Sequence, residues 1–254
     1  MSGATGARDT LLALVYPGPF ATAQIEQLRL EEHGFAVRYL LQETLPREVT
    51  ARGYATALFE RCDLAAADVS TIVSYCAAGQ IARELSAMCA RRGGRVPAMV
   101  RINPETPTLD NLVRTIEGAI RHPLPRPGGA ELTLDWLTLG LFEELERELA
   151  DRLTGQVGGS GAVARQLSRM QVDWVIHLVA SGRTSGPADV AGELHVTAAD
   201  HACATACAAR HLVACEDSEL VFAAPGVAEA ICAERAHVPK HATQCQTCLT
   251  ACSS

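Results

Sequence analysis

The chain reads as an α/β protein, a mostly parallel sheet flanked by helices, and three observations predict it. Apolar runs of strand length recur through the first hundred residues, each followed by a stretch with helical spacing. The runs are apolar on both faces, as strands are when helices cover a sheet from either side. The chain has 254 residues, 48% of them hydrophobic and only 4% aromatic, so a sizeable core is available and must be built from Ala, Val, Leu and Ile.

The elements follow in order. "LLALVYP" (residues 11–17) predicts a buried strand closed by a Pro-Gly-Pro turn, and residues 21–34 a helix with a glycine stop. "AVRYLL" (36–41) predicts the next strand and "VTARGYATALFERC" the next helix. "VSTIVSY" (69–75) predicts a third strand, residues 77–92 a helix closed by Gly93-Gly94, and "VPAMVRI" (96–102) a fourth strand. Residues 104–170 break the alternation. Loop signals in "PETPTLDN" and "RHPLPRPGGAE" precede the helix "DWLTLGLFEELERELADRL", the link "TGQVGGSGA" and the helix "VARQLSRMQV". "WVIHLVASG" (174–182) and "ELHVTAA" (193–199) predict a return to the sheet, and "APGVAEAICAERA" a last helix. The expected organisation is a core of residues 1–104 and 171–236, a helical lid insertion at 105–170, and a cysteine-rich tail at 237–254.

Charge and composition exclude several classes. A net charge of −7 with no basic cluster interleaved with aromatics argues against nucleic acid as a partner. The first ten residues hold no apolar signal region and no run of 18 apolar residues follows, so neither export nor a membrane span is expected. Ten cysteines in such a chain point to a reducing, cytoplasmic setting.

The chemistry concentrates at "SYCAAG". A strand, a nucleophile flanked at two residues' distance by small side chains, then a helix: this is the pattern of a nucleophile elbow. Cys76 is the nucleophile, with Ser74 and Ala78 the small neighbours it needs in a strained backbone. The helix N-terminus beyond it is expected to lower the thiol pKa, and the Ala77 N–H to serve an oxyanion hole. A thiolate needs a base and an orienting group, which follow in chain order in a hydrolase of this kind. Asn103 lies in the loop after the fourth strand, and His201 after the strand "ELHVTAA". The expected triad is Cys76, His201 and Asn103, with Asp189 the alternative orienter and His211 the alternative histidine. His177 and His195 fall within expected strands and read as core or surface residues.

These residues resemble the thioesterase family of the α/β-hydrolase fold that serves nonribosomal peptide and polyketide synthases. The likeness rests on "VYPGPF", "ARGYATALFE", "VSYCAAGQIARELSAMCARRGGRVPAMVRIN" and "VTAADHA", and covers most of residues 11–104 and 173–235. It implies release or cyclisation of an acyl or peptidyl chain brought as a thioester on the phosphopantetheine of a carrier protein, with no cofactor of the enzyme's own. Cys76 stands where the family usually has serine, and Asn103 where it usually has aspartate. Pro19, which has no N–H, stands at or beside the second oxyanion position, leaving Gly18 or Phe20 to supply that donor. Thiol-to-thiol transfer keeps the acyl group activated, which suits onward transfer to an amine, a hydroxyl or water. A dienelactone-hydrolase-like cysteine hydrolase is the alternative enzyme and would promote Asp189. A carrier-protein-binding module with a degraded site is the alternative outside catalysis.

Seven of the ten cysteines follow His201. Cys203, Cys207, His211 and Cys215 recur every four residues, the spacing of one helix face. His237, His241, Cys245, Cys248 and Cys252 approach zinc-ligand spacing in the tail. Cysteine also replaces alanine readily in an Ala-rich core, and a polar tail has no need of structure, so no metal site is expected.

Overall fold

The computed structural model describes residues 9–16, 24–42, 44–66, 68–93, 95–121, 123–124, 133–157, 161–183, 192–201 and 209–237. Six strands form one parallel sheet: β1 Thr10–Leu14, β2 Ala36–Tyr39, β3 Val69–Tyr75, β4 Ala98–Ile102, β5 Leu194–Ala198 and β6 Arg210–Cys215. Their order is β2-β1-β3-β4-β5-β6. Successive connections therefore run in opposite directions from β1, and a crevice opens between the carboxyl ends of β1 and β3. Open parallel sheets bind their ligands at such a reversal.

The helices are α1 Ala51–Arg61, α2 Gly79–Gly93, α3 Leu109–Ile120, α4 Leu139–Val157, α5 Gly161–Gly182 and α6 Val227–His237. The strand alternation decides which face each side chain joins. Leu12, Leu14 and Ile72 pack under α1 and α2, while Leu11, Ala13 and Val73 pack under α6. A third cluster, built from Leu112, Ile116, Phe142, Leu145, Ile176 and Val179, binds α3, α4 and α5 together. Local caps fix the starts: Thr50 Oγ1 accepts from Gly53 N at 3.1 Å, and Thr108 Oγ1 from Asn111 N at 3.3 Å.

Four expectations are corrected. Residues 174–182 are not a strand but the second half of α5. Val172, Val175, Ile176, Val179 and Ala180 are all buried, because this half of the helix is covered by the third cluster on one side and the sheet-facing helices on the other. A helix buried all round loses its apolar stripe, and a short apolar run of this kind is ambiguous. Residues 109–111, expected within the loop signal "PETPTLDN", open the helix α3. Residues 25–28 form only a 3₁₀ turn, which Arg29 ends in a left-handed conformation at φ 46°. Residues 210–215 form β6, so His211 and Cys215 lie on a strand and the helix-face grouping is overturned. The boundary drawn between residues 170 and 171 falls within α5; Cys203, Cys207 and residues 238–254 lie outside the described residues.

A buried ionic cluster lies at the start of β5. Glu193, just before β5, accepts from Arg83 Nε at 2.7 Å and Nη2 at 2.8 Å. Arg101 Nη1 lies 3.8 Å from the same carboxylate and His195 Nε2 3.3 Å. Burial alone raises the Glu193 carboxyl, but the Arg83 and His195 hydrogen bonds, with the Arg83 and Arg101 charges, bring it down to about 2. Among the described residues no helix is long and apolar enough to cross a membrane.

Candidate active site

Cys76 terminates β3 with φ +52°, a left-handed backbone that a residue bearing a Cβ adopts only under constraint. Residues 76–78 make one 3₁₀ turn and α2 begins directly at Gly79. Ser74 and Ala78, each 1% exposed, are packed against the turn's two sides, as the small-residue pattern requires. Gly79 has its own reason: a Cβ there would overlap the guanidinium of Arg101, which lies flat against the helix start. A parallel sheet covered by helices on both faces, carrying this turn at the end of an inner strand, is the α/β-hydrolase fold.

The thiol is not ionised by the helix, contrary to the expectation. Burial pushes the Cys76 thiol up to about 12, and the carboxylate of Glu105 adds to this by its charge and its hydrogen bond. The Ala77 N–H bonded to the sulfur acts in the opposite direction but is the smallest influence. Sγ donates to Glu105 Oε2 at 3.1 Å, so the proton is held between a sulfur and a carboxylate. At pH 7 such a thiol rests in its neutral, protonated form.

Glu105 was not among the expected site residues. The signal was present, an acid two positions beyond Asn103 in the same loop. The loop is tied to the elbow through its backbone, Glu105 N–H donating to the Cys76 carbonyl at 3.2 Å. His201 reaches the same loop: its Nε2 lies 3.0 Å from the Pro104 carbonyl. A carbonyl can only accept, so Nε2 carries the proton and, in the neutral ring, Nδ1 is bare.

Asn103 ends β4 with φ +43° and is almost fully buried. Its N–H donates to the Val196 carbonyl at 2.8 Å, its Oδ1 accepts from Ala198 N at 3.0 Å, and its Nδ2 donates to the Ser218 carbonyl at 3.4 Å. Its amide staples the ends of β4 and β5 to the turn at Ser218. Cys76, Asn103 and His201 thus share one edge of the sheet. Among the described residues, however, the His201 ring bonds neither Cys76 nor Asn103. His211 lies within β6, its ring edge-on to His195 with centroids 5.4 Å apart. Gly18, Pro19, Phe20 and Asp189 lie outside the described residues.

On the β1 side of the crevice, Tyr16 donates to the Met170 carbonyl at 3.4 Å and stacks on His177 at 5.7 Å. Burial, then the charge of Asp173, raises Tyr16 to about 12, and burial lowers His177 to about 4. Both are neutral at pH 7 and form one wall between β1 and α5. A separate cavity of about 310 Å³, lined by Ala87, Ala90, Val96, Pro97 and Met99, lies toward the amino end of β4, at the far end of the sheet from Cys76.

No protein-family model matches the chain, and no curated protein matches it. Among solved structures it is similar to a thioesterase from the prodiginine biosynthetic pathway of Streptomyces coelicolor, 17% identical over 89% of this chain and 85% of that one, with a TM-score of 0.43. It is similar to ClbQ from the colibactin NRPS/PKS pathway at 12% identity over 89% of this chain and 94% of that one, TM-score 0.46. A hydrolase from Oleispira antarctica is 14% identical over 91% and 92% of the two chains, TM-score 0.45.

Proposed function

We propose that the protein is a thioesterase-type acyl transferase or hydrolase that takes an acyl or peptidyl group from a carrier-protein phosphopantetheine thiol onto Cys76. The observation that carries this reading is the left-handed Cys76 at the carboxyl end of β3, beside the crevice at β1. A strained non-glycine residue costs about 1–3 kcal/mol and persists where the surroundings over-determine it, which is the circumstance of a nucleophile held on a turn. The substrate class follows from the resemblance of residues 11–104 and 173–235.

In the acylation step the Sγ–carbonyl bond forms, the thioester C–S bond of the substrate breaks, and the Cys76 proton ends on the departing thiol. Because the resting thiol is neutral, a base must take that proton as the sulfur attacks. His201 is the base in this reading, its ring turning from the Pro104 carbonyl to the sulfur; the Glu105 hydrogen bond offers the proton a first acceptor on the way. Asn103 acts as a positioning residue, holding the loop that carries both Pro104 and Glu105. Ala77 N–H serves the oxyanion, with Gly18 or Phe20 as the second donor. Water or a nucleophile within the chain then releases the acyl group.

The test is intact-mass measurement after incubation with a panel of acyl N-acetylcysteamine thioesters. The wild type is expected to gain an acyl adduct that Cys76→Ala lacks, and the decay products separate hydrolysis from cyclisation. A second reading, a carrier-protein-binding module with a degraded site, is favoured by the raised thiol pKa. A folded protein giving no adduct and no turnover across the panel overturns the acyl-enzyme reading in favour of that one.

A further inference from the structure

We propose that Glu105 selects the substrate: the acyl groups that Cys76 accepts are α-aminoacyl groups, whose free ammonium pairs with this carboxylate. The inference rests on the reading of Cys76 as an acyl carrier.

The geometry is set by the thiol itself. Glu105 Oε2 lies 3.1 Å from Sγ. In an acylated cysteine the α-nitrogen is three bonds from the sulfur, about 3–4 Å away whatever the torsion. An α-ammonium on the acyl-enzyme reaches the carboxylate that now holds the thiol when the acyl group turns its α-carbon toward the Glu105 side of the sulfur. Acylation also removes the proton that Glu105 accepts in the resting state, and an ammonium restores a donor to it. An acyl group lacking the amine leaves the carboxylate facing a neutral thioester.

The carboxylate is prepared for this. Its loop is fastened at both ends of the contact, by Glu105 N–H on the Cys76 carbonyl and by His201 on the Pro104 carbonyl. Among the described residues no cation pairs with Glu105, in contrast to Glu193 within the core. The neighbouring Tyr75 hydroxyl is raised first by burial, and the carboxylate charges of Glu105 and Glu219 raise it further. A cationic group is attracted to this edge and an anionic acyl chain is repelled. At an exposed carboxylate such a charge-assisted hydrogen bond is worth about 2- to 5-fold in selectivity.

The experiment compares L-alanyl- and propionyl-N-acetylcysteamine, which differ only in the amino group, with wild type and Glu105→Gln. The readout is the ratio of their kcat/KM values, with adduct formation on Cys76 followed by intact mass. Any general effect of Glu105 on thiol reactivity acts on both substrates alike and cancels in the ratio. The wild type is expected to favour alanyl by about 2- to 5-fold over the Glu105→Gln ratio, with Glu105→Asp in between. Equal ratios in wild type and Glu105→Gln, with adducts from both substrates, overturn the selection and leave the acyl-enzyme standing. Absence of any adduct overturns both.

Discussion

Two glutamates stand at opposite ends of neighbouring strands, Glu193 just before β5 and Glu105 just after β4, and their surroundings are opposite in kind. Glu193 is 2% exposed and answered by Arg83, Arg101 and His195, which bring its carboxyl down to about 2. Glu105 is exposed and meets a neutral thiol, whose proton it helps to retain. The first is a fixed charge whose field is consumed within the fold. The second projects its field onto the reacting atom. One residue type thus marks a structural centre or a chemical one according to whether its counter-charges come from the protein.

The sharpest way to break that comparison is to neutralise Glu193. Glu193→Gln keeps the shape but removes the buried carboxylate that Arg83 and Arg101 share, which costs about 3–5 kcal/mol. At about 2–4 °C per kcal/mol for a chain of this size, the Tm is expected to fall by roughly 10 °C. The loss has a pH signature. The carboxyl's folded value lies below its ordinary 4.5, so its contribution is present above pH 4.5 and disappears as pH falls toward about 2. Denaturation curves at pH 7 and pH 3 are expected to show the gap between wild type and variant shrinking at the lower pH. A gap independent of pH would mean that packing, not charge, gives Glu193 its weight.

Gly79→Ala comes next in size and touches the boundary between the two centres. In an ordinary helix this change is favourable by about 1 kcal/mol. Here the new Cβ meets the Arg101 guanidinium, which is buried and held by Glu193 and so has little room to move. A net loss of about 1–3 kcal/mol in urea denaturation is expected. A gain in stability would show that the arginine rearranges freely and that the cluster is looser than its distances suggest.

The elbow was legible in the sequence because its determinants are local: a β-branched run, small residues at 74 and 78, and a helix pattern after Ala77. What escaped was whatever depends on distant partners. Asn103 looks like an orienting residue from its position at the end of β4, but its amide is engaged by Ala198 and Ser218, 95 and 115 residues away. The second half of α5 looks like a strand because its burial on every side erases the stripe that announces a helix. Residues 210–215 carry His211 and Cys215 at a spacing that suggests a helix face, whereas pairing with β5 decides their conformation. Glu105 is not legible from local pattern, because only the loop's return to the Cys76 carbonyl brings its side chain to the sulfur.

The smallest effect is the most diagnostic of the contrast between the glutamates. Glu105→Gln is expected to change stability by less than about 0.5 kcal/mol, since an exposed side chain outside any buried network contributes little. Its effect belongs to Cys76. The thiol lies above its ordinary 9.0 first because it is buried and then because of the Glu105 charge and hydrogen bond, so removing the charge lowers it part of the way and burial keeps it raised. Alkylation by iodoacetamide, followed on the Cys76 peptide, is therefore expected to rise about tenfold at pH 8 in the variant. In the wild type the rate is expected to climb about tenfold per pH unit from 7 to 10, as for a thiol still far below its midpoint. A wild-type rate that levels off just above pH 9 would show an ordinary thiol, and the carboxylate 3.1 Å away would then have no hold on its proton.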